Sequence, residues 1–341
     1  MTIMDVAKAA GVSKSTVSLV LNNSPLVKEK TREHVLDTIH KIGFTLNSNA
    51  RGLINHKYYN LGVLILIEDE PYNTYEFNYQ TGLFSSNISN GILEGLDGTE
   101  YGLITERFCA KDGNAIPRLL QKSCIDGLFV IGDLGKERIF EYVKAAHLPF
   151  VAIGRKADGY DSVFTLPGEG AYLATKHLID KGHRKLCYLN APQTYISSPV
   201  REAGARKAME EAGLDMTKQL FINTEHNTGL SGYEALENLD CRLLGFDGIV
   251  AVNDIVTMGI LRFCYERNIK VPKQLSVVSG EDSILCGYAS PALSAVNINK
   301  EQLGFHAAKL MLSKILGEVS DIRQIHIPLY LVERDSVAPV C

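Results

Sequence analysis

The sequence has no apolar run long enough to cross a membrane, although 45% of its 341 residues are hydrophobic. A membrane helix needs about 18 consecutive apolar residues. The start of the chain has no basic segment followed by an apolar one, so we expect no secretory signal either. The seven cysteines are scattered and form no C-x-x-C pair. A disulfide framework and a zinc site are therefore not expected, and the composition favours the reducing cytoplasm.

Motifs of the common enzyme classes are also missing. The sequence has no P-loop, no G-x-G-x-x-G after a strand, no H-E-x-x-H and no G-x-S-x-G. The nine histidines are dispersed, and His177 and His183 are more typical of structural residues than of metal ligands. We therefore expect no catalytic residue, no metal and no cofactor. A cytoplasmic α/β enzyme, such as a sugar kinase or hydrolase, stays an alternative that turnover assays would test.

The charge is distributed unevenly along the chain. Residues 1–57 contain eight lysines and arginines against four acidic residues, a surplus of +4, whereas the whole chain carries −4, which leaves −8 on the remainder. A basic N-terminal segment on an acidic body indicates contact with a polyanion, or chance variation of a solvated surface. The length exceeds one average domain and predicts two or three.

Three short helices are predicted in the N-terminal segment. Thr2 and Asp5 resemble a capping box before a first helix. Ser13 is a suitable cap for a second helix that ends near Leu21, and a third helix is expected over residues 28–42. The side chains expected to face inward from the third helix are Val35, Leu36, Ile39 and Ile42. Two short helices that are joined by a glycine-containing turn and braced by a third form a helix-turn-helix.

The second helix has one apolar face and one largely polar face. At about 100° per residue, the buried stripe contains Val17, Val20 and Leu21, and the opposite side contains Lys14, Ser15, Ser18 and Leu19. Leu19 is therefore an apolar residue that points away from the core. It would contact a thymine methyl in the major groove, or it would be one of the single exposed leucines that are common on proteins.

From residue 61 onward, short apolar segments alternate with helical patterns. Such segments predict parallel sheets covered by helices on both faces, and about 230 residues of them exceed one compact sheet and indicate two lobes. A ligand would then bind between the lobes, at the carboxyl ends of the strands. The predicted strands are 61–67, 127–132, 149–154, 185–190, 248–253 and 275–279, with further strand segments near 293–298 and 325–332 that cross between the lobes; the predicted helices are 136–146, 168–182, 199–213, 229–239 and 254–268.

Polar side chains follow several of these strands. Asn253 can both donate and accept hydrogen bonds, which suits a hydroxyl-rich ligand, whereas Asp254 is expected to cap the next helix. Glu281 and Asp282 would bind vicinal hydroxyls, or would only cap and form salt bridges. Arg201 follows a loop at a helix start, where it would bind ligand oxygens or would be an ordinary surface arginine.

The N-terminal motifs resemble the lactose-repressor (LacI/GalR) family of bacterial transcriptional regulators. The matching residues are Asp5-Val6-Ala7, Gly11-Val12-Ser13, Thr16-Val17-Ser18, Asn22, Thr31-Arg32, Gly43-Phe44 and the hinge-like Asn47-Ser48-Asn49-Ala50-Arg51-Gly52-Leu53. The resemblance implies that Lys14, Ser15 and Leu19 read base edges and that Thr16, Ser18 and Asn22 bind phosphates. It also implies hinge contacts to DNA by Asn47, Ala50 and Leu53, with Leu53 as a wedge in the minor groove.

The body resembles the periplasmic sugar-binding fold that accompanies this N-terminal domain in the family. The resemblance implies Arg201, Asn253 and Glu281 as effector contacts, beside the neighbouring candidate Asp282. The body departs from the family pattern at Leu166-Pro167, at Ser279-Gly280-Glu281 and near His226-Asn227. In addition, Gly91, Gly95 and Gly98 are expected to interrupt a helix. We interpret these departures as a rebuilt pocket.

The whole chain is therefore predicted to be a multidomain protein, with an all-α helix-turn-helix domain and an α/β two-lobed effector domain of the periplasmic-binding-protein type. The predicted boundaries are 1–46 for the helix-turn-helix, 47–59 for the hinge and 60–341 for the body, with a first lobe of about 60–160 and 291–324 and a second of about 161–290 and 325–341. The resemblance implies a cytoplasmic homodimer that binds a pseudo-palindromic operator and represses carbohydrate-utilisation genes under control of a sugar-like effector. A small-molecule binding protein with a vestigial N-terminal domain, and a corepressor-dependent regulator of non-sugar metabolism, remain open.

Overall fold

The computed structural model describes residues 2–21, 24–44, 57–67, 75–109, 115–122, 124–132, 138–239 and 245–340, without the side chains of 75–81 and 138–140. The predicted DNA contacts Asn22, Asn47, Ala50 and Leu53 lie outside these ranges. The chain divides into two compact units, Met1–Tyr59 and Asn60–Cys341, so the break falls at the predicted start of the body. In the described ranges, no helix combines the length and the apolar character that a membrane span requires.

The first unit contains three helices, α1 (Ile3–Ala10), α2 (Lys14–Leu21) and α3 (Glu29–Ile42), as predicted. Thr2 and Asp5 form the expected capping box. Gly11 ends α1 with φ at 64°, in the left-handed region that favours glycine. The Ser13 hydroxyl then accepts a hydrogen bond from the Thr16 backbone N–H at 3.0 Å. These local contacts fix the turn between α1 and α2.

A small apolar core holds the three helices together. Val6, Val17 and Val35, one from each helix, are fully buried, and each contributes roughly 1.5–3 kcal/mol by leaving water. The prediction that Leu36 faces inward is wrong, because its side chain is 47% exposed. Successive helix residues lie about 100° apart, so Val35 and Leu36 do not share the core face, and Thr38 is buried instead.

The second unit is built on two six-stranded sheets. Its strands are β1 (Asn60–Leu66), β2 (Gly102–Phe108), β3 (Gly127–Ile131), β4 (Phe150–Gly154), β5 (Ser162–Phe164), β6 (Leu186–Asn190), β7 (Leu220–Asn223), β8 (Gly248–Ala251), β9 (Ser276–Ser279), β10 (Ser294–Asn297), β11 (Gln324–His326) and β12 (Tyr330–Val332). The first sheet has the order β11-β5-β4-β3-β1-β2 and parallel pairing throughout. The second has the order β12-β10-β9-β8-β6-β7, with β12 antiparallel at its edge. The two-lobed α/β prediction is confirmed.

Helices flank both sheets and pack against each other in pairs. They are α4 (Tyr75–Gly95), α5 (Arg118–Gln121), α6 (Arg138–Ala145), α7 (Pro167–Asp180), α8 (Ser197–Glu211), α9 (Gly229–Glu237), α10 (Asp254–Glu266), α11 (Ile284–Tyr288) and α12 (Lys300–Ile315). The closest pairs are α4 with α12, α7 with α8 and α9 with α10. A Cβ atom on Gly304, Gly204 or Gly259 would overlap a backbone carbonyl of the partner helix. Glycine therefore sets how closely each pair approaches.

The expectation that glycines interrupt a helix in this region is wrong for Gly91. Helix α4 continues through Gly91 and ends at Gly95, and a Cβ on Gly91 would overlap the carbonyl of Glu301 in α12. These glycines are contact points for α12. Helix α12 was not predicted, because its buried face includes small residues such as Gly304 and Ala308 that give only a weak apolar stripe.

The predicted lobe boundaries are wrong near the crossings between lobes. Strand β10 belongs to the second sheet, although the prediction places residues 291–324 in the first lobe. Strands β5 and β11 belong to the first sheet, although the predicted second lobe begins near residue 161 and resumes near residue 325. Strands of three or four residues are too short for a periodic signal. The chain crosses between the lobes after β5, after β10 and after β11. Asn299 in the second crossing donates a 2.7 Å hydrogen bond to the Pro328 carbonyl in the third.

Candidate DNA-binding and effector-binding sites

The outer face of α2 carries the residues expected to meet DNA. Lys14 and Ser15 are exposed, and Leu19 is 37% exposed, whereas Val17 and Val20 on the other side are buried. The helical periodicity therefore placed these side chains on the correct faces. Chemically, the face combines one cation, hydroxyl groups and one apolar side chain, a set that suits both phosphates and base edges.

Hydroxyl groups cluster at the N-terminus of α2. The Ser13 Oγ atom lies 2.7 Å from Ser15 Oγ and 2.8 Å from Thr16 Oγ1. Helix α3 braces the surrounding segments, since Arg32 donates a 2.7 Å hydrogen bond to the Ser24 carbonyl and the His34 ring lies 3.1 Å from the Ala10 carbonyl. The hydroxyl groups are thus held in place on a supported helix.

In the second unit, a cavity of about 410 Å³ lies between the two lobes. Its described lining residues are Phe84, Gly132, Ile153, Gly154, Arg155, Lys156, Thr165, Leu166, Pro167, Ile196, Ser197, Val200 and Arg201. Three other cavities of about 340–380 Å³ are lined, in the described residues, by the second lobe alone. The interlobe cavity has the size of a small-molecule site and is touched by both halves of the fold.

The cavity occupies the predicted position at the carboxyl ends of parallel strands. Gly132 follows β3, Arg155 follows β4 and Thr165 follows β5, while Arg201 lies on α8, the helix after β6. Gly132 has a φ of 116°, and a Cβ there would crowd the Leu66 carbonyl. Glycine at this position therefore allows the end of β3 to pack closely against Leu66 beside the cavity.

Of the four predicted effector residues, only Arg201 lines this cavity among the residues described. It is half-buried, and its Nη1 donates a 2.9 Å hydrogen bond to the Ser197 hydroxyl one turn earlier in α8. The bond orients the guanidinium group, which has further N–H donors for a ligand. The predicted effector contact by Arg201 is compatible with this position.

Asn253 is the N-terminal cap of α10. Its Oδ1 accepts a 2.9 Å hydrogen bond from the Val256 backbone N–H, and its Nδ2 donates to Asn227 Oδ1 at 2.7 Å. The expectation that Asp254 caps this helix is therefore wrong, because the cap residue precedes the first helical residue. With both ends of its amide bonded, Asn253 is 3% exposed, and its contact with an effector stays a prediction.

Glu281 and Asp282 do not form a pair that converges on one ligand. Glu281 Oε1 lies 2.6 Å from Lys300 Nζ, at the start of α12 in the first lobe. Asp282 accepts two hydrogen bonds from the Arg334 guanidinium, at 2.9 and 3.1 Å. Each carboxylate therefore has its own cation. Their predicted effector contacts remain untested, but the binding of vicinal hydroxyls by both together is not supported.

A buried charge cluster surrounds Lys300. Burial lowers the pKa of Lys300, but the charge and hydrogen bond of Glu281, together with the charges of Asp254 and Glu301, raise the pKa overall. Burial raises the pKa of Asp254, and the negative charge of Glu281 raises it further. Lys300 Nζ also lies 5.9 Å from the ring centre of Phe84, which lines the cavity. The ion pair thus lies close to the cavity wall and joins the lobes.

Sequence reasoning missed Lys300, Arg334 and the cavity residues Arg155 and Lys156. The last two directly follow a predicted strand, so the rule that selected Asn253 would have found them. Lys300 and Arg334 gave no such signal, because their partners are distant in sequence. Among the described residues, no group of three or more His, Cys, Asp and Glu side chains is arranged to hold a metal ion.

Comparison with known proteins relates both units to bacterial regulators. Residues 2–47 match the family model of bacterial regulatory proteins, lacI family, and residues 175–337 match that of the periplasmic binding protein-like domain. The HTH-type transcriptional repressor PurR of Edwardsiella ictaluri is 29% identical over 347 residues, which cover 99% of this chain and 97% of the relative. PurR of Mannheimia succiniciproducens is 28% identical, and the match covers 99% of this chain and 99% of the relative.

Solved structures show the same fold. A lac repressor dimer bound to operator and the anti-inducer ONPF is 21% identical, with a TM-score of 0.82 and 99% of each chain covered. A complex of the transcriptional regulator CelR with cellobiose is 24% identical, with a TM-score of 0.70 and coverage of 98% and 99%. The chain belongs to the lacI family of bacterial regulatory proteins and is a DNA-binding transcriptional repressor with a periplasmic-binding-protein-like effector domain.

Proposed function

We propose that a small molecule bound between the lobes controls this repressor, and that the chain binds this effector without converting it. The observation that carries the proposal is the cavity with walls from both lobes. A ligand that contacts both walls favours one arrangement of the lobes over another, and only such a difference in affinity couples effector binding to DNA binding. Arg201 is the proposed principal contact, with Asn253, Glu281 and Asp282 as further candidates.

The outer face of α2 is the proposed reader of the operator. Lys14, Ser15 and Leu19 would contact base edges, while Thr16 and Ser18 would bind phosphates. Asn22 is proposed as a further phosphate contact, and Asn47, Ala50 and Leu53 as hinge contacts. These four rest on the family resemblance alone, since they lie outside the described residues.

The proposed active form is a cytoplasmic homodimer on a pseudo-palindromic operator. One solved relative is a dimer bound to operator, and two copies of the helix-turn-helix would read two half-sites. Exposed apolar side chains on α10 and α11 support a second copy as the partner: Tyr265 is 84%, Ile284 is 66% and Tyr288 is 85% exposed. Both helices pack inward on one core, so these side chains are on its outer side.

The proposed effector is a sugar or sugar derivative, and the proposed targets are carbohydrate-utilisation genes. Structural relatives are complexes with cellobiose and with ribose, which supports this choice. The repressors named PurR are the specific reason for a second candidate, a corepressor-dependent regulator of non-sugar metabolism such as that of purines.

Selection of operator sequences tests the function. The full-length protein is immobilised, random duplexes are bound near physiological salt, and the recovered sequences are read with and without candidate effectors. We expect a short palindrome with a flexible pyrimidine-purine step at its centre. A Ser15→Ala variant should alter the preference within each half-site, whereas a matched Lys207→Met variant on α8 should not. Recovery of no motif, with affinity that only follows the salt concentration, would overturn specific reading.

A further inference from the structure

The second lobe turns exposed apolar side chains toward the cavity between the lobes. Leu166, Ile196 and Val200 line this cavity, and they are 37%, 52% and 49% exposed. Pro167 lines it next to Leu166. Single exposed apolar residues are common on proteins, but several that share one concave surface mark a place where another molecule binds.

These apolar side chains lie at the starts of two neighbouring helices. Leu166 and Pro167 begin α7, and Ile196 directly precedes α8, which contains Val200. A Cβ atom on Gly168 in α7 would lie only 3.0 Å from the carbonyl oxygen of Val200. The first turns of the two helices are therefore packed against each other, and their apolar side chains form one surface, which we call the apolar wall (Leu166, Pro167, Ile196 and Val200).

Leu166 and Ile196 occupy positions at which helices usually have a polar residue. Each is the N-terminal cap of its helix, and neither side chain accepts a hydrogen bond from the first turn. Serine, threonine, aspartate or asparagine at this position stabilises a helix, so an apolar cap gives up local stability. Two adjacent helices show the same departure, and both begin at the cavity. This coincidence indicates that the two side chains serve the cavity and not the helices.

The further proposed effector contacts are already engaged by the protein. Asn253 has both ends of its amide bonded, and Glu281 and Asp282 are paired with cations. Hydroxyl groups of a ligand that face the apolar wall would lose water without gaining a partner. The first lobe adds Phe84 and Ile153 to the lining. Apolar side chains therefore face the cavity from both lobes.

We infer that the effector carries an apolar group, aromatic or alkyl, which lies against the apolar wall while Arg201 and Ser197 bind its polar part. This inference rests on the proposed effector-controlled function and specifies the ligand of the same cavity. Each methylene group that is buried on binding raises the affinity by roughly fourfold, whereas a polyol without such a group gains nothing from this wall. Because apolar residues line both sides, the bound group also favours a closed cleft.

Titration of the full-length protein with the neutral dye N-phenyl-1-naphthylamine tests this inference, since the dye fluoresces strongly only in apolar surroundings. We expect saturable binding by the wild type. Val200→Thr, which keeps the shape of the side chain but adds a hydroxyl group, should weaken it by roughly 3- to 10-fold. Leu166→Asn should also weaken binding and yet raise the Tm, because asparagine is a good helix cap. Leu230→Asn changes an exposed leucine on α9 that is not among the described lining residues, and it should leave the affinity for the dye unchanged.

Competition against the dye identifies the apolar group. Phenyl, hexyl and methyl β-D-glucosides share one sugar and differ only in the attached group. The phenyl or the hexyl compound should displace the dye at a concentration roughly 10- to 100-fold below that of the methyl compound. The comparison of phenyl with hexyl distinguishes an aromatic from an alkyl group.

Equal displacement by the three glucosides, or displacement by none of them, overturns the inference. So does an equal affinity for the dye in the wild type, Val200→Thr and Leu166→Asn, or the lack of saturable binding by the wild type. Operator binding by the same protein separates the two proposals. A clear operator without any preference for the apolar compounds refutes only the role of the apolar wall, and such a preference without an effect of the bound compound on operator affinity refutes only the control by an effector.

Discussion

Lys300 is 6% exposed and meets Glu281 at the contact of the two lobes. A solvated ion pair contributes little to stability, but a buried pair is different, because the removal of one partner leaves an uncompensated charge in a poorly hydrated place. In addition to Glu281, Lys300 Nζ donates a hydrogen bond to the Asp282 carbonyl at 3.1 Å. One lysine from the first lobe thus holds two consecutive residues of the second.

We expect Lys300→Met to lower the free energy of unfolding by about 3–5 kcal/mol, since Glu281 then remains buried without its cation. The double variant Lys300→Met/Glu281→Gln should recover most of that loss. Urea unfolding followed by circular dichroism measures both, with Lys309→Met on the exposed side of α12 as the control. A double variant as unstable as Lys300→Met would contradict this account of the pair.

Asp254→Asn should stabilise the protein at neutral pH. Burial and the nearby Glu281 raise the pKa of Asp254 in the folded state, so its ionised form opposes folding above that pKa. The penalty disappears as the pH falls through the raised folded pKa toward the ordinary value of the unfolded chain. The advantage of Asp254→Asn over wild type should therefore be largest at neutral pH and shrink on acidification. Unfolding midpoints from pH 7 to about 4 measure it, and a constant difference would refute the cause.

Leu19→Ala should weaken binding to the selected operator by about 3- to 10-fold, because the loss of its methyl groups removes an apolar contact with a base edge. The loss should be confined to operators with thymine at one symmetric pair of positions. Fluorescence anisotropy with operators altered at single positions measures it, and Lys8→Ala, exposed on α1, serves as the control. Unchanged affinity would show that Leu19 is only a surface residue, and equal weakening on every sequence would refute its contact with a base edge.

The paired helices of the body depend on glycine for their separation. Gly91 and Gly304 lie where α4 and α12 touch, and a Cβ on either would overlap the other helix. Gly82 belongs to the same helix α4 but has open space where a Cβ would be. Gly82 and Gly91 of α4 therefore differ in packing while they share the same helical backbone.

Gly91→Ala should destabilise the protein by roughly 1–3 kcal/mol, because the added methyl group forces α4 and α12 apart. Gly82→Ala should instead stabilise it by up to about 1 kcal/mol through better helix propensity. Thermal unfolding of both variants gives the comparison. Similar changes in Tm for the two would mean that the contact with α12 does not set the stability.

Sequence patterns predicted the elements with strong local signals and missed those defined by distant contacts. The helices of the first unit and six apolar strands were found, because capping residues and buried strands leave a local signature. Helix α12 was missed, because its small residues do not form a strong apolar pattern and serve as a contact face only once α4 packs on them. The position of the effector site at the strand ends and one of its lining residues, Arg201, were predicted. The roles of Lys300 and Arg334 were not predicted, because they depend on which carboxylate each side chain meets in the fold.

The molecule as a whole is proposed to act as a dimer, so an interface variant should affect DNA binding at a distance. Tyr288→Lys places a charge on the proposed interface, where like charges from two copies would meet. Sedimentation should show monomers, and operator affinity should fall by about 10²- to 10⁴-fold because the two half-sites are no longer bound together. Leu230→Lys, exposed on α9, is the control. A monomeric variant with full operator affinity would refute the need for dimerisation.

The three crossings between the lobes have a consequence for the synthesis of the protein. The first sheet is incomplete without β11, and α12 covers it from residue 300 onward. During translation, the first lobe therefore cannot be completed until the ribosome has passed residue 326, long after the strands of the second lobe up to β10 have emerged. The apolar surface that α12 covers stays exposed on the nascent chain for most of translation, and such transiently exposed apolar surface favours aggregation before folding is complete.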